Sequence, residues 1–167
     1  FLEYLINFVE LNNSNNINKY SFHFYGVIDQ NYEKYFMHKI NNIPNLYYKG
    51  YVLKDEIYTI YEENHILMHP SLSEAGATVI LEAMSYGLSI ICRNSGGNKE
   101  TVQNTNFLCN TEEDFFTNLE KMNKNKYEEL FYENKKKILL HNSIQNQYCK
   151  LENIIENIYS SSITENI

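Results

Sequence analysis

Positive charge is scarce in this sequence. Its 14 lysines and arginines include one arginine, Arg93, and stand against 21 aspartates and glutamates, so the formal net charge is −7. Proteins that bind nucleic acid without sequence preference rely on clustered positive charge to neutralise phosphates. The scarcity of such charge therefore predicts that nucleic acid is not a partner.

Cysteines and long apolar runs are also scarce. The three cysteines, Cys92, Cys109 and Cys149, are widely and irregularly spaced, which fits neither a disulfide framework nor a zinc site. We therefore expect a reducing, cytoplasmic environment. No apolar run reaches the roughly 18 residues that a membrane-spanning helix needs, so no such helix is predicted.

The sequence has enough apolar residues for one core. Its 167 residues are 43% hydrophobic and 21% charged, a size and composition typical of one globular domain. The sequence opens at Phe1 inside an apolar run with helical spacing, FLEYLINFVEL. We interpret this opening as a start within a larger fold.

Predicted strands and helices alternate along the chain. Continuous apolar or aromatic runs predict strands at 20–28, 45–52, 65–69, 88–93 and 106–109. Helical spacing predicts helices at 1–11, 29–41, 54–64, 78–86 (closed by Gly87) and from 111 onward. Apolar strands that alternate with helices are typical of a parallel sheet covered on both faces. The predicted fold is therefore α/β and Rossmann-like, with 1–143 as the domain.

Two loops are expected at the ligand-binding edge of this sheet. Residues 70–77 follow the strand that ends at His69, and residues 94–99 follow the strand that ends at Arg93. In open parallel sheets, ligands bind beyond the carboxyl ends of the strands, where loops lead into helix N-termini. His65 and His69 have the spacing of a helical metal site, but a strand would hold them about 13 Å apart, so we interpret both as structural or loop histidines.

Glu74 and Glu82 stand at the two ends of one short segment, eight residues apart. A helix would separate them by about 12 Å, whereas paired glycosidase carboxylates lie roughly 5 to 9.5 Å apart. The spacing therefore disfavours a hydrolase pair. It fits two hydrogen-bond acceptors at the ends of an elongated, polyhydroxylated ligand.

Small residues between the two glutamates leave backbone N–H groups accessible at a predicted helix start. Ala75, Gly76 and Ala77 would expose amides where the helix dipole favours an anion such as a diphosphate. A structural alternative stays open, because Ser71 and Glu74 also match a capping box and Glu82 could be an ordinary polar helix residue.

The segment HPSLSEAGATVILEAMSYGLSIICRNSGGNKETV, residues 69–102, resembles the donor-binding segment of family 4 glycosyltransferases. These are retaining enzymes of the GT-B fold, and their signature is two glutamates with seven residues between them, followed by a Gly-Gly loop after the next strand. Here the signature is Glu74, Glu82, Gly96 and Gly97. The resemblance extends over most of residues 1 to 110.

The resemblance implies a role for each site residue. Glu74 would accept hydroxyls of the donor sugar and place the sugar at the reaction centre, so it is the implied catalytic residue. Glu82 would bind the ribose hydroxyls. The remaining implied donor-binding residues contribute backbone amides, meet the nucleobase or border the cleft: Tyr51, Val52, Ala75, Gly76, Ala77, Thr78, Val79, Gly96 and Gly97.

The chain departs from the family pattern in two ways. The family commonly has glycine, aromatic, glycine after the first glutamate, whereas this chain has Ala75, Gly76 and Ala77, which leaves the donor sugar open. The family's basic pair and its acceptor domain precede the first helix, and this sequence contains neither. Arg93 or Lys99 could replace the basic pair only in part. We therefore expect recognition of a nucleotide sugar with little or no transfer by these 167 residues.

The function that the resemblance implies is the donor half of a retaining transferase. It would move a sugar from a nucleoside-diphosphate sugar to a glycan or lipid-linked acceptor in cell-surface polysaccharide synthesis, without a cofactor or an obligatory metal. The resemblance also implies that residues 144–167 form a last helix that packs toward the missing domain, and it leaves peripheral association with the inner membrane face open. Half of a GT-B sugar-nucleotide epimerase and a non-catalytic nucleotide-binding or interaction domain are the alternatives.

Overall fold

The computed structural model describes residues 1–14, 19–102, 107–143, 145, 149 and 151–153. Helices and strands alternate in the predicted order. They are α1 Leu2–Ser14, β1 Phe22–Tyr25, α2 Gln30–Ile40, β2 Leu46–Gly50, α3 Ile57–Glu63, β3 Ile66–His69, α4 Thr78–Ser85, β4 Ser89–Arg93, α5 Asn98–Val102, β5 Phe107–Cys109, α6 Glu112–Lys121 and α7 Lys124–Lys137, followed by the π-helical turn Ile138–Asn142.

All strand pairs in the described part of the chain are parallel, which confirms the α/β fold class. β1 pairs with β2, and the order β3-β4-β5 makes a second sheet. The described strands therefore form two sheets rather than the single continuous sheet that the alternation predicts.

Helices cover the sheets on both faces and enclose two apolar clusters. β4 lies at the centre, and all of its residues are buried, as its continuous apolar sequence predicts for a strand that is covered on both faces. One cluster packs Leu5 of α1 and Phe115 of α6 against Ile91 of β4. The other packs Ile80 and Met84 of α4 against the opposite face.

Local sequence signals explain where several helices begin and end. Thr111 and Asp114 form a capping box at the start of α6, and the Asp29 side chain accepts from the Asn31 N–H at the start of α2. Gly87 follows α4 with a φ of 90°, and a Cβ there would lie 2.4 Å from the Phe131 ring of α7. Only glycine meets both demands.

Two buried polar side chains attach α7 to the three-stranded sheet. Asn134 donates to the Leu88 carbonyl at 2.7 Å, just before β4. Lys137 donates to the Thr101 carbonyl at 2.7 Å, near the end of α5. Burial lowers the pKa of Lys137 to about 8.

The expected terminal helix at 144–167 lies largely outside the described residues, so its packing and the domain boundary before it stay predictions. Within it, residues 151–153 are helical. Among the helices that the structure describes, none combines the length and the apolar character that crossing a membrane requires.

Candidate functional site

The loops after β3 and β4 lie side by side, as expected for neighbouring parallel strands. His69 at the end of β3 is in register with Cys92 of β4, so both loops leave the same sheet edge. The Gly97 N–H donates to the Glu74 carbonyl at 3.2 Å, and the Ser95 hydroxyl donates to the Ser71 carbonyl at 3.0 Å. These bonds fasten the segment around Glu74 to the Gly-Gly loop.

Close backbone contact explains the two glycines. A Cβ at Gly96, whose φ is 50°, would lie 1.4 Å from the Glu74 carbonyl oxygen, and a Cβ at Gly97 would lie 2.4 Å from the Ala75 carbonyl oxygen. A side chain at either position would therefore push the two loops apart. The glycines set the position of Glu74 in addition to lining the edge.

The Glu74 carboxylate is held by His69. His69 Nε2 lies 3.2 Å from Glu74 Oε1, and the two side chains are 17% and 28% exposed. An ionised carboxylate only accepts hydrogen bonds, so the contact requires a proton on Nε2. The sequence predicts a structural or loop histidine at position 69, and the structure places this histidine against the candidate site carboxylate. The sequence signal that could have indicated the contact with Glu74 is the place of this histidine at a strand end, five residues before the glutamate.

The start of α4 has no side-chain cap. The helix begins at Thr78, and its N-cap residue, Ala77, makes no side-chain cap hydrogen bond. The capping-box alternative for Ser71 and Glu74 is therefore wrong, because both residues precede the helix and the Ser71 hydroxyl bonds to the Ser73 carbonyl at 3.4 Å instead.

Open space adjoins these uncapped amides. Ala75 and Gly76 are exposed, and a Cβ added at Gly76 would meet no atom within 4 Å. The first N–H groups of a helix have no partner within the helix and carry partial positive charge. The amides at the start of α4 can therefore donate hydrogen bonds to the oxygens of an anion.

Glu82 lies on the exposed side of α4 and is oriented by a tyrosine. The Tyr61 hydroxyl of α3 donates to Glu82 Oε2 at 2.9 Å. Tyr61 is only 5% exposed, and its burial, reinforced by the Glu82 carboxylate, raises its pKa. Tyr61 therefore acts as a hydrogen-bond donor that fixes one oxygen of Glu82.

Tyr51 and Val52 lie at the end of the other sheet. They follow β2 directly after Gly50, which has a φ of 77°, and Tyr51 is 69% exposed. The Gly26 N–H donates to the Gly50 carbonyl at 2.9 Å and connects the ends of β1 and β2. No hydrogen bond within the described ranges joins residues 51–52 to the loops that hold Glu74 and Gly96.

Arg93 does not point into this region, so the expectation that it could partly neutralise a diphosphate is wrong. Its buried guanidinium donates to the Asn110 carbonyl at 2.9 Å and to Glu112 at 2.5 Å, and it packs 5.5 Å from the centre of the Phe115 ring. The ion pair lowers the pKa of Glu112. Arg93 thus ties β4 to the start of α6, whereas Lys99 is exposed on α5.

Buried thiols are inert in this arrangement. Burial raises the pKa of Cys92 to about 12 and that of Cys109 to about 11, so neither is a thiolate near neutral pH. In the described part of the chain, no group of three or more His, Cys, Asp or Glu side chains could hold a metal ion.

Comparison with known proteins gives a consistent family. The family described as "Glycosyl transferases group 1" matches residues 2–141. The phosphatidylinositol N-acetylglucosaminyltransferase gpi3 subunit of Schizosaccharomyces pombe is 42% identical over 53 residues, which are 32% of this chain and 12% of that protein.

A solved structure shares the fold. The crystal structure of a glycosyltransferase from Rickettsia africae ESF-5 matches with a TM-score of 0.71 at 17% identity, over 93% of this chain and 44% of that one. This likeness shows a GT-B-like Rossmann fold. The chain spans less than half of the length of either protein.

Proposed function

Because the chain belongs to the group 1 glycosyl transferase family, we propose that it is the part of such an enzyme that binds the donor nucleotide sugar. The observation that carries this proposal is the pair of loops at the carboxyl ends of β3 and β4, which hydrogen bonds join to each other. They present a half-buried carboxylate, Glu74, directly before the uncapped amides of α4. A second, oriented carboxylate, Glu82, follows on the same helix.

The diphosphate of the donor would occupy the start of α4. The amides of Gly76, Ala77, Thr78 and Val79 are at the positive end of the helix, and the space beside Gly76 is open. Helix N-termini bind phosphate groups by this combination of donors and dipole. Ala75 and Ala77 keep the approach open because their side chains are small.

The two carboxylates would bind hydroxyl groups on either side of the diphosphate. Glu74, held by His69, would accept from the sugar and place its anomeric carbon for transfer. Glu82, held by Tyr61, would accept from the ribose through its other oxygen. In both cases a buried or half-buried neighbour fixes the acceptor before the ligand arrives, which reduces the ordering cost of binding.

The remaining contacts concern the base and the outer wall of the site. Tyr51 and Val52 would meet the nucleobase through their main chain, and Gly96 and Gly97 would border the cleft while they fix the Glu74 backbone. Lys99 is exposed beside this loop and could offer positive charge near the phosphates. No cofactor takes part in this scheme.

The reaction we propose is a family 4 type transfer with retention of anomeric configuration. The S. pombe relative is named for transfer of N-acetylglucosamine to phosphatidylinositol, so a nucleotide sugar of N-acetylglucosamine is the first donor to test and a lipid-linked acceptor the first acceptor. Glycans of cell-surface polysaccharides are the wider acceptor class. The transfer would take place in the cytoplasm, at the inner face of the membrane.

Calorimetric titration with UDP-, GDP- and ADP-linked sugars tests the proposal. We expect one of these donors to bind at a single site and Glu82→Gln to weaken that binding about tenfold or more, because a charged acceptor is lost. Glu113→Gln is the matched control, since Glu113 is exposed on α6. Absence of binding by all three donors, or equal effects of the two substitutions, would contradict the proposed site.

A further inference from the structure

A series of hydrogen bonds leads from α7 to the main chain of Glu74. The Lys137 ammonium donates to the Thr101 carbonyl at 2.7 Å. The Thr101 hydroxyl donates to the Gly97 carbonyl at 2.8 Å, and the Thr101 N–H donates to the same oxygen at 3.0 Å. The Gly97 N–H in turn donates to the Glu74 carbonyl at 3.2 Å. A buried cation on α7 is therefore connected to the backbone of the candidate site.

The last step of this series leaves no free space. A Cβ at Gly96 would overlap the Glu74 carbonyl, and a Cβ at Gly97 would overlap the Ala75 carbonyl, so the main chains of the two loops are in direct contact. Closely packed groups transmit small displacements to each other. A displacement of Gly97 therefore displaces the main chain of Glu74.

Contacts from outside hold the short helix α5 in place. Its five residues are well below the roughly 12–15 that an isolated helix needs in water, and its last carbonyls have no partner within the helix. At its start, the buried Asn98 side chain donates to the Arg93 carbonyl of β4 at 3.0 Å. At its end, the Thr101 carbonyl accepts from Lys137, where the helix dipole favours a cation. Lys137 therefore fixes the end of α5.

Lysine at position 137 has a cost that an apolar residue would avoid. Lys137 is 6% exposed, and among the described residues it takes part in no ion pair. A buried cation without a carboxylate partner is unfavourable. Methionine has a similar length and no charge, so the property that lysine adds at this position is the charge-assisted hydrogen bond to the Thr101 carbonyl.

We propose that Lys137 is a positioning residue that sets the place of Glu74 in the donor site. The inference rests on the proposed function, because Glu74 is the residue proposed to bind the donor sugar. His69 holds the carboxylate of Glu74, whereas the series that begins at Lys137 holds its main chain. Without the Lys137 bond, α5 and Gly97 shift, and Glu74 shifts with them relative to the amides of α4.

This role predicts different effects on the two parts of the donor. The sugar depends on Glu74, so its contribution to binding weakens when Lys137 is lost. The nucleoside diphosphate is proposed to lie on the amides of α4 and on Glu82, which Tyr61 orients from α3. Neither of these belongs to the series, so the diphosphate keeps its affinity. A general loss of stability would weaken both parts alike.

Calorimetric titration with UDP-N-acetylglucosamine and with UDP tests the inference. In Lys137→Met we expect the affinity for the sugar-bearing donor to fall about fivefold and the affinity for UDP to stay within about twofold. GDP-mannose with GDP, and ADP-glucose with ADP, are the corresponding pairs for the other two bases. Lys136→Met makes the same substitution at an exposed neighbour and should change neither affinity.

A second control separates positioning from stability. Leu130→Ala removes a fully buried side chain of α7 that is not part of the hydrogen-bond series. It should lower the melting temperature because it leaves a cavity. It should leave the ratio of the affinities for UDP-N-acetylglucosamine and UDP unchanged.

Amide hydrogen exchange tests the same step without a ligand. Lys137→Met should speed exchange at the Gly97 amide about tenfold, because its bond to Glu74 opens more often, whereas the Ile91 amide in β4 should keep its rate. Thr101→Val removes only the hydroxyl bond to Gly97 and should act in the same direction with a smaller effect. Thr101→Val also carries the test if Lys137→Met does not fold.

Three results would overturn the inference. They are equal losses of affinity for UDP-N-acetylglucosamine and UDP in Lys137→Met, the same change of ratio in Leu130→Ala, and unchanged Gly97 exchange in the variants that fold. Failure of the proposed function is recognised separately, because none of the three pairs would then bind to the unchanged chain. Exchange at Gly97 would in that case decide alone whether Lys137 positions the main chain of Glu74.

Discussion

The three-stranded and two-stranded sheets differ in how firmly they hold the residues proposed to touch the donor. β4 is buried along its whole length, and the loops around it are joined by the Gly97–Glu74 and Ser95–Ser71 hydrogen bonds. In the other sheet, Tyr47 of β2 is 45% exposed, and Tyr51, which directly follows β2, is 69% exposed.

This difference separates two kinds of contribution to the proposed donor site. The groups that would bear charge and orient the sugar and phosphates belong to the three-stranded side, where His69 and Tyr61 hold the two carboxylates by hydrogen bonds. The other side offers main chain and an exposed aromatic residue, Tyr51, which suit a base that is held by contact area. Substitutions in matched pairs, one in each sheet, can test this contrast.

The largest contrast is expected for core packing. Ile91→Ala in β4 removes a fully buried side chain and should lower the free energy of unfolding by about 2–5 kcal/mol. Tyr47→Ala in β2 should lower it by about 0.5 kcal/mol or less, because that ring is half exposed. Urea unfolding measures both changes. Equal losses of unfolding free energy would show that the two side chains contribute equally to stability, contrary to the expected difference between the sheets.

The next contrast concerns glycines with positive φ. Gly96→Ala should lower the free energy of unfolding by about 2–4 kcal/mol and weaken donor binding, since its Cβ would overlap the Glu74 carbonyl. A Cβ at Gly50 would meet no atom within 4 Å. Gly50→Ala should therefore lower the free energy of unfolding only by the cost of a left-handed conformation at a non-glycine residue, about 1–2 kcal/mol. Thermal unfolding followed by donor titration compares them, and a larger effect at Gly50 would refute the proposed contact.

A smaller effect, on donor binding, is expected when a tyrosine hydroxyl is removed. Tyr61→Phe removes the donor that orients Glu82 and should weaken donor binding about fivefold, the equivalent of roughly 1 kcal/mol. Tyr51→Phe should leave binding unchanged, because the main chain at that position is proposed to meet the base. Calorimetry on both variants is the measurement. A stronger effect of Tyr51→Phe would reverse the assignment.

The last expected effect is a pH dependence on the three-stranded side. Burial lowers the pKa of Lys137 from 10.5 to about 8, so between these pH values the folded chain binds fewer protons there than the unfolded chain. This group's contribution therefore makes the free energy of unfolding rise with pH from about 8 to 10.5. Lys137→Met should remove that rise, as measured by urea unfolding at successive pH values. An identical slope in the variant would contradict it.

The sequence predicted elements well and pairings less well. Continuous apolar runs such as 88–93 identified the strands, and Gly87 marked the end of α4, because burial and positive φ leave direct signals in residue type. The arrangement of the described strands in two sheets left no such signal, since periodicity along one strand does not specify the strand beside it. Tertiary contact alone reveals it.

The sequence indicated the residues of the candidate site, but it did not indicate which side chains contact them. The spacing of Glu74 and Glu82 and the position of the Gly-Gly loop marked the region. The His69–Glu74 contact and the burial of Arg93 against Glu112 depend on which side chains meet across loops, which spacing does not encode. The roles of the site residues in donor binding stay predictions.

A crystal structure of the protein with the donor that binds most tightly tests the central claim most directly. The account predicts the diphosphate on the amides of residues 76–79 at the start of α4, the sugar hydroxyls on Glu74 and the ribose hydroxyls on Glu82. A donor whose diphosphate lies away from α4, or whose ribose does not contact Glu82, would contradict it.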